Sequence, residues 1–274
     1  MSRRRSPVLL LGGLLAVLLS AAFLVALLSE GRIEGAVPGS EPVLGIAAVP
    51  GGFVVGTAGG AVTSPDGRRW RETSLPGAER GRVLVAATGG GAVAVAAGSL
   101  YEGMGIEDFR RRSGAPRDAT ALAVSGAGDA LIATRSGRLL RIRGDEAEDV
   151  PLGPGAPREI LALAARDGAL YAGGLSSGLW ESADGGRQWQ QLLKTPIRGV
   201  LATPAEPGRL LLATPAGILV STDDGRSWRF TEMRVATEGL SAAGGVFYAV
   251  TSERVVYRSA DGRRSWSPLV PTRG

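Results

Sequence analysis

The chain contains no cysteine and no histidine, and its single lysine is Lys194. Without cysteine there is no disulfide, no thiolate metal site and no lipid attachment through sulfur. Without histidine the usual general base near neutral pH and the commonest metal ligand are both missing. Arginine therefore supplies nearly all the positive charge, and the sequence pI of about 10.3 sits on a formal net charge of only +5. Residues 1–30 hold three arginines and one glutamate, which leaves about +3 on the remainder, too little to mark a nucleic-acid-binding surface. No metal or cofactor is expected from this inventory. Glycine, by contrast, is abundant at 42 of 274 residues, as in a β protein with many tight turns at positive φ.

One short motif recurs. Ser182-Ala-Asp184-Gly-Gly186-Arg-Gln-Trp189 and Ser221-Thr-Asp223-Asp-Gly225-Arg-Ser-Trp228 both read S-x-D-x-G-x-x-W. Ser259-Ala-Asp261-Gly262-Arg-Arg-Ser-Trp266 moves the glycine forward by one, and Ser64-Pro-Asp66-Gly67-Arg-Arg-Trp70 is one residue shorter. The serines are 118, 39 and 38 residues apart. Because 118 is close to three times 39, two degenerate copies are expected in the gap, giving six repeats in all. A period near 40 residues marks a repeat architecture. Each repeat reads as four short strands. An inner strand of small apolar residues (for example Val43 to Ala48) is followed by a second (Phe53 to Thr57), a third that leads into the motif, and a fourth that starts at the motif tryptophan. In the two weak repeats Leu100-Tyr101-Glu102 and Leu139-Leu140-Arg141 take the third-strand place. The expected fold is an all-β, six-bladed β-propeller over residues 43–274. The motif is then the hairpin between third and fourth strands. Its Asp accepts backbone N–H groups, its Gly supplies positive φ, and its Trp packs into the blade.

These residues resemble the Asp-box, or bacterial neuraminidase, repeat over residues 43–270. That repeat occurs in sialidases, sortilin-type receptors, xyloglucan hydrolases and the photosystem II stability and assembly factor family. The resemblance implies that Asp66, Asp184, Asp223 and Asp261 are structural turn residues on the face away from any ligand. The Arg-Ile-Pro signature usual near the first strand of sialidases is absent, Pro42-Val-Leu-Gly standing in its place. Tyr101, Tyr171, Tyr248 and Tyr257 all fall in expected second or third strands, where packing is their expected role. Asp118 and Glu159, on adjacent blades, are the one carboxylate pair to nominate for glycoside hydrolysis.

The amino terminus carries a different signal. Arg3-Arg4-Arg5 precedes an apolar run from Val8 to Leu28, interrupted only by Gly12, Gly13 and Ser20. Its 21 residues span about 31 Å as a helix, enough for a hydrocarbon core of about 30 Å. The arginines then stay cytoplasmic and the propeller lies outside the membrane. The rival reading is a signal peptide with Val8 to Leu19 as its core and Ser20-Ala21-Ala22 as its cleavage site. Phe23 to Leu28 continues the apolar run past that site, which favours an anchor at 1–30 followed by a tether at 31–42.

A ligand or partner site is expected on the face opposite the motif turns. Arg80, Arg117, Arg158 and Arg198 recur just before the inner strands at spacings of 37, 41 and 40 residues. Such a ring of guanidinium groups at the channel mouth can bind carboxylate or phosphate by forked hydrogen bonds. Glu79, Asp118 and Glu159 beside three of them leave open a second reading, local neutralisation. Arg110-Arg111-Arg112 forms a second basic feature on the outer strand of the second repeat, either a solvated edge or a contact for anionic lipid or an acidic partner. The expectation is a membrane-anchored, extracytoplasmic, non-catalytic propeller that binds another protein as a scaffold, accessory subunit or assembly factor. The alternative is a glycan-binding or glycoside-hydrolysing propeller.

Overall fold

The computed structural model describes residues 34–79, 81–203 and 206–270. The expected anchor at 1–30, the first residues of the tether and Arg80 lie outside the described residues. The rest is a ring of six four-stranded antiparallel sheets, each a meander of consecutive strands. Blade 1 holds β1 (Val43–Val49), β2 (Gly52–Thr57), β3 (Gly60–Ser64) and β4 (Arg71–Glu72). Blade 2 holds β5 (Val83–Ala87), β6 (Ala92–Ala96), β7 (Ser99–Gly103) and β8 (Arg110–Gly114). Blade 3 holds β9 (Ala119–Val124), β10 (Ala130–Thr134), β11 (Leu139–Arg143) and β12 (Glu146–Val150). Blade 4 holds β13 (Ala162–Arg166), β14 (Ala169–Gly174), β15 (Gly178–Ser182) and β16 (Gln190–Leu193). Blade 5 holds β17 (Gly199–Ala202), β18 (Leu210–Thr214), β19 (Gly217–Ser221) and β20 (Arg229–Phe230). Blade 6 holds β21 (Thr237–Ala243), β22 (Val246–Thr251), β23 (Val256–Ser259) and β24 (Ser267–Pro268).

The strands follow the burial that a propeller imposes. Each blade is covered on both faces by its neighbours, so its second strand is apolar throughout rather than alternating. Ala92–Ala96, Ala130–Thr134 and Leu210–Thr214 are buried at every position. The outermost strands Arg71–Glu72 and Arg229–Phe230 are exposed and only two residues long. Six clusters of buried side chains form the core, and each joins one pair of adjacent blades. The apolar driving force is therefore spread around the ring as six interfaces rather than gathered at one centre.

Ring closure uses no exchanged strand, because blades 1 and 6 are each built of contiguous chain. Part of the expected tether does this work instead. Val37 is buried in the cluster shared by β1, β2, β22 and β23. Its N–H donates to Arg254 O at 2.8 Å, and the Arg254 side chain donates back to the carbonyls of Val37, Pro38 and Glu41.

Candidate functional site

The motif turns behave alike in the four blades that carry them. In each, the Ser Oγ accepts the glycine N–H: Gly67, Gly186, Gly225 and Gly262 at 2.8, 2.7, 2.8 and 3.0 Å. One Asp carboxylate oxygen accepts N–H groups further along the turn, from Arg68 and Arg69, Arg187 and Gln188, Ser227, and Arg263 and Arg264. These bonds hold the four carboxyls below the ordinary aspartate range, Asp223 at about 2. The bonded oxygen of each carboxylate is thereby committed to its own turn.

The tryptophans pack between blades rather than within their own. Trp189 lies in the blade 3–4 cluster and Trp228 in the blade 4–5 cluster. Trp266 joins blades 5 and 6, and Trp70 joins 6 and 1. The Trp189 and Trp228 indoles donate to Gly186 O and Gly225 O, while Trp70 donates to Gly35 O. In blade 2, Phe109 stands six residues after Gly103, the same offset as Trp70 from Ser64, and packs with Ile106 in the blade 1–2 cluster. The offset was visible in the sequence without the motif that would have flagged it.

The opposite face surrounds the mouth of the central channel. The channel is lined by the six inner strands, encloses about 470 Å³, and presents chiefly aliphatic side chains such as Leu84, Leu122, Leu163, Leu201 and Leu240. A second cavity of about 480 Å³ forms the mouth and shares Leu44, Leu161, Arg198 and Glu238 with the channel. The loops around it are short and tied to their own blades. At the ends of β2, β10, β18 and β22, Thr57, Thr134, Thr214 and Thr251 each send Oγ1 to a carbonyl three or four residues on, at 3.0, 3.2, 2.8 and 3.3 Å. Sequence reading passed over this recurrent threonine.

Of the nominated arginines among the described residues, only Arg198 lines the mouth cavity, and Arg117 and Arg158 do not. Arg198 lines the mouth and is ion-paired with Glu238 of the next blade. Arg117 and Arg158 are exposed, on the β8–β9 and β12–β13 loops, and neither forms an ion pair among the described residues. Their neighbouring carboxylates are engaged elsewhere. Asp118 accepts Ser136 N–H at 3.1 Å, and Glu159 accepts Ser176 N–H and Oγ–H, both at 2.9 Å. Each thus ties an incoming loop to the second-to-third strand loop of its own blade, and the Ser136 bonds hold the Asp118 carboxyl below its ordinary range. Arg110, Arg111 and Arg112 lie on β8 at the rim, where Arg111 reaches Ser99 Oγ and Arg112 reaches Gly128 O, both at 3.3 Å, and Glu102 at 3.6 Å.

A further arginine, Arg82, also lines the mouth. It immediately precedes β5 as Arg198 immediately precedes β17, which makes these two the equivalent pair. Arg80 matches the repeat spacing but stands two positions too early. The usable signal was adjacency to the inner strand. Among the described residues no group of three or more acidic, cysteine or histidine side chains is placed to hold a metal ion. Tyr171, between Arg166 and the blade 4–5 cluster, is pushed up to about 12, chiefly by burial.

No family model matches the chain, and no curated protein matches it. Solved structures do. A GH74 enzyme of Niastella koreensis superposes with a TM-score of 0.56 at 16% identity, over 84% of this chain and 38% of its own. YCF48 from Cyanidioschyzon merolae superposes at 0.53 and 13% identity, covering 88% of this chain and 89% of its own. The extracellular domain of the putative hybrid two component system BT4673 from B. thetaiotaomicron gives 0.52 and 13% identity, over 83% and 39%. This chain thus spans under two-fifths of the GH74 enzyme, and likeness at such identity is one of architecture. The chain is a six-bladed β-propeller.

Proposed function

We propose that this protein is a membrane-anchored, extracytoplasmic Asp-box propeller that binds another protein through its channel-mouth face and carries out no catalysis. The observation that carries the reading is the commitment of its carboxylates. Each of the four turn aspartates commits one carboxylate oxygen to backbone N–H groups, and both nominated catalytic carboxylates, Asp118 and Glu159, act as loop ties. An Asp118 carboxyl held low stays ionised at neutral pH and is unsuited as a general acid. A Tyr171 phenol at about 12 is equally unsuited as a nucleophile. The mouth loops are short, so they build a rim rather than a cleft for a polysaccharide chain. Exposed, unpaired Arg117 and Arg158 give that rim a basic character suited to an acidic protein surface. The similar extent of this chain and YCF48 from C. merolae supports a compact propeller working as a unit.

The test uses the full chain in its native membrane, solubilised in detergent after chemical crosslinking. The wild type is expected to co-purify with a defined partner, and the Arg117→Glu/Arg158→Glu variant is expected to lose it with an unchanged thermal midpoint. Recovery should fall as salt shortens the Debye length from about 10 Å to about 3 Å. Equal recovery by both proteins sinks the reading. The anchor is checked separately by carbonate extraction, which should leave the protein in the membrane fraction.

A further inference from the structure

Arg82 stands apart from the other cations of the mouth. Arg198 is neutralised by Glu238, and the Arg254 guanidinium is engaged by the carbonyls of Val37, Pro38 and Glu41. Arg82 is half-buried, and its Nη2 reaches only the Thr120 carbonyl, at 3.4 Å. Among the described residues its buried Nε–H makes no hydrogen bond and no carboxylate lies within ion-pair distance. The strongest charge it feels is that of another cation, Arg135, on the β10–β11 loop. Burial and Arg135 together push the Arg82 guanidinium down from its ordinary range. A guanidinium carries five N–H donors in a planar fork, and here nearly all of that capacity is unused.

The surroundings define what would use it. The mouth cavity lined by Arg82 holds about 480 Å³, and its exposed wall is aliphatic: Leu44, Leu161 and Leu175, the last 46% exposed. Glu41 on the rim is the one lining carboxylate not consumed by Arg198. One forked cation with aliphatic side chains and a single uncommitted carboxylate in the same lining matches a single negative charge on an apolar body better than a multiply charged phosphate.

We propose that the channel mouth binds a small monocarboxylate with a short aliphatic tail, its carboxylate on the fork of Arg82 and its tail against Leu44, Leu161 and Leu175. Arg135 adds long-range attraction without a direct contact. The site is separable from protein docking at Arg158, which lies away from the cavity lining.

The experiment titrates the full chain, held in lipid nanodiscs, with hexanoate, hexanol and inorganic phosphate by calorimetry. Hexanoate is expected to bind at one site, with hexanol and phosphate each weaker by about tenfold or more. Arg82→Gln should lose about tenfold or more in hexanoate affinity, while Arg110→Gln and Arg158→Glu keep wild-type affinity. Absence of hexanoate binding by the wild type up to about 10 mM overturns the proposal, and that result needs no variant to fold. Equal binding of hexanoate by folded Arg82→Gln, or of hexanol or phosphate by the wild type, also overturns it. Loss of protein co-purification in the Arg117→Glu/Arg158→Glu variant bears on docking alone.

Discussion

Trp189 and Trp266 occupy the same place in their turns and meet different fates. The Trp189 indole N–H is bonded to Gly186 O, whereas the buried Trp266 Nε1 has no hydrogen-bond partner among the described residues. Trp189→Ala should cost roughly 3–5 kcal/mol, as a large side chain removed from an inter-blade core. Replacement by phenylalanine separates packing from hydrogen bonding. Trp189→Phe should lose about 1 kcal/mol for the bond, while Trp266→Phe removes an unsatisfied donor and should be close to neutral. Denaturant unfolding of the three variants checks the order, and a Trp266→Phe cost equal to that of Trp189→Phe would contradict it. Asp223 gives a pH signature. Its carboxyl is held at about 2 by bonds to Ser227, Ser221 and the turn backbone. A folded-state value below the unfolded one makes the stabilisation fully present above the ordinary aspartate range. It is lost as pH falls through the folded value. Between about pH 4 and pH 2, Asp223→Asn should therefore lose less stability than the wild type. Parallel acid branches for the two proteins would contradict the assignment.

At the scale of the element, the turn between third and fourth strands tolerates length change by a local device. The shortest copy runs directly from Ser64 to Trp70. Blades 4 and 5 insert a residue before the bonded glycine, and it adopts positive φ: Gly185 at 74° and Asp224 at 57°. Blade 6 inserts after the glycine, and Ser265 takes φ of 55°. The bond between Ser Oγ and Gly N–H survives in all four, so the extra residue is absorbed as one left-handed step. This explains how the glycine shifts in sequence and not in role. The bonded glycine and the inserted one, taken from the turns of blades 5 and 4, are then separable by substitution. Gly225 has φ of 81°, and a Cβ there would stand 2.7 Å from Leu192 Cδ1; Gly185 has φ of 74° with open space around it. Gly185→Ala should cost about 1–2 kcal/mol of backbone strain alone, and Gly225→Ala should cost more through the added contact. Equal costs would show that the neighbours yield freely.

The propeller is a closed ring with its apolar contacts divided among six interfaces, and the blade 6–1 interface depends on a segment ahead of the first strand. Val37 fills that seam, with Trp70 and Arg254 bonded to the same short stretch. Because the ring has no exchanged strand to close it, loosening this seam should weaken the entire array and not one blade. Val37→Ala should cost about 2 kcal/mol, which for a domain of this size lowers the thermal midpoint by about 4–8 °C. A single, uniformly shifted transition is expected in calorimetry. An unshifted midpoint would mean that the seam contributes nothing to closure. The same ring geometry brings Arg82 and Arg198 to one mouth from blades that are far apart in sequence, and it leaves Arg110 to Arg112 on the rim.

What the sequence determined by itself was local and repetitive. The Ser-Asp-Gly-Trp chemistry of the turn is encoded within eight contiguous residues such as Ser182 to Trp189, and the 39-residue spacing of Ser182 and Ser221 and the four-strand rhythm within one repeat. Their physics is that of hairpins and backbone hydrogen bonds, which neighbours in the chain decide. The blade count followed from the arithmetic of the period even where blades 2 and 3 had lost the motif. Tertiary structure decided everything that depends on an axis shared by six blades. It placed Arg82 at the mouth beside Arg198, because the residue adjoining the inner strand reaches the channel. It turned Asp118 and Glu159 into loop ties, since each meets a serine N–H 17 or 18 residues away that no spacing rule connects to it. It also drew Val37 out of an expected tether into the closing seam, because a ring without an exchanged strand leaves an apolar gap there that only a neighbouring segment can fill.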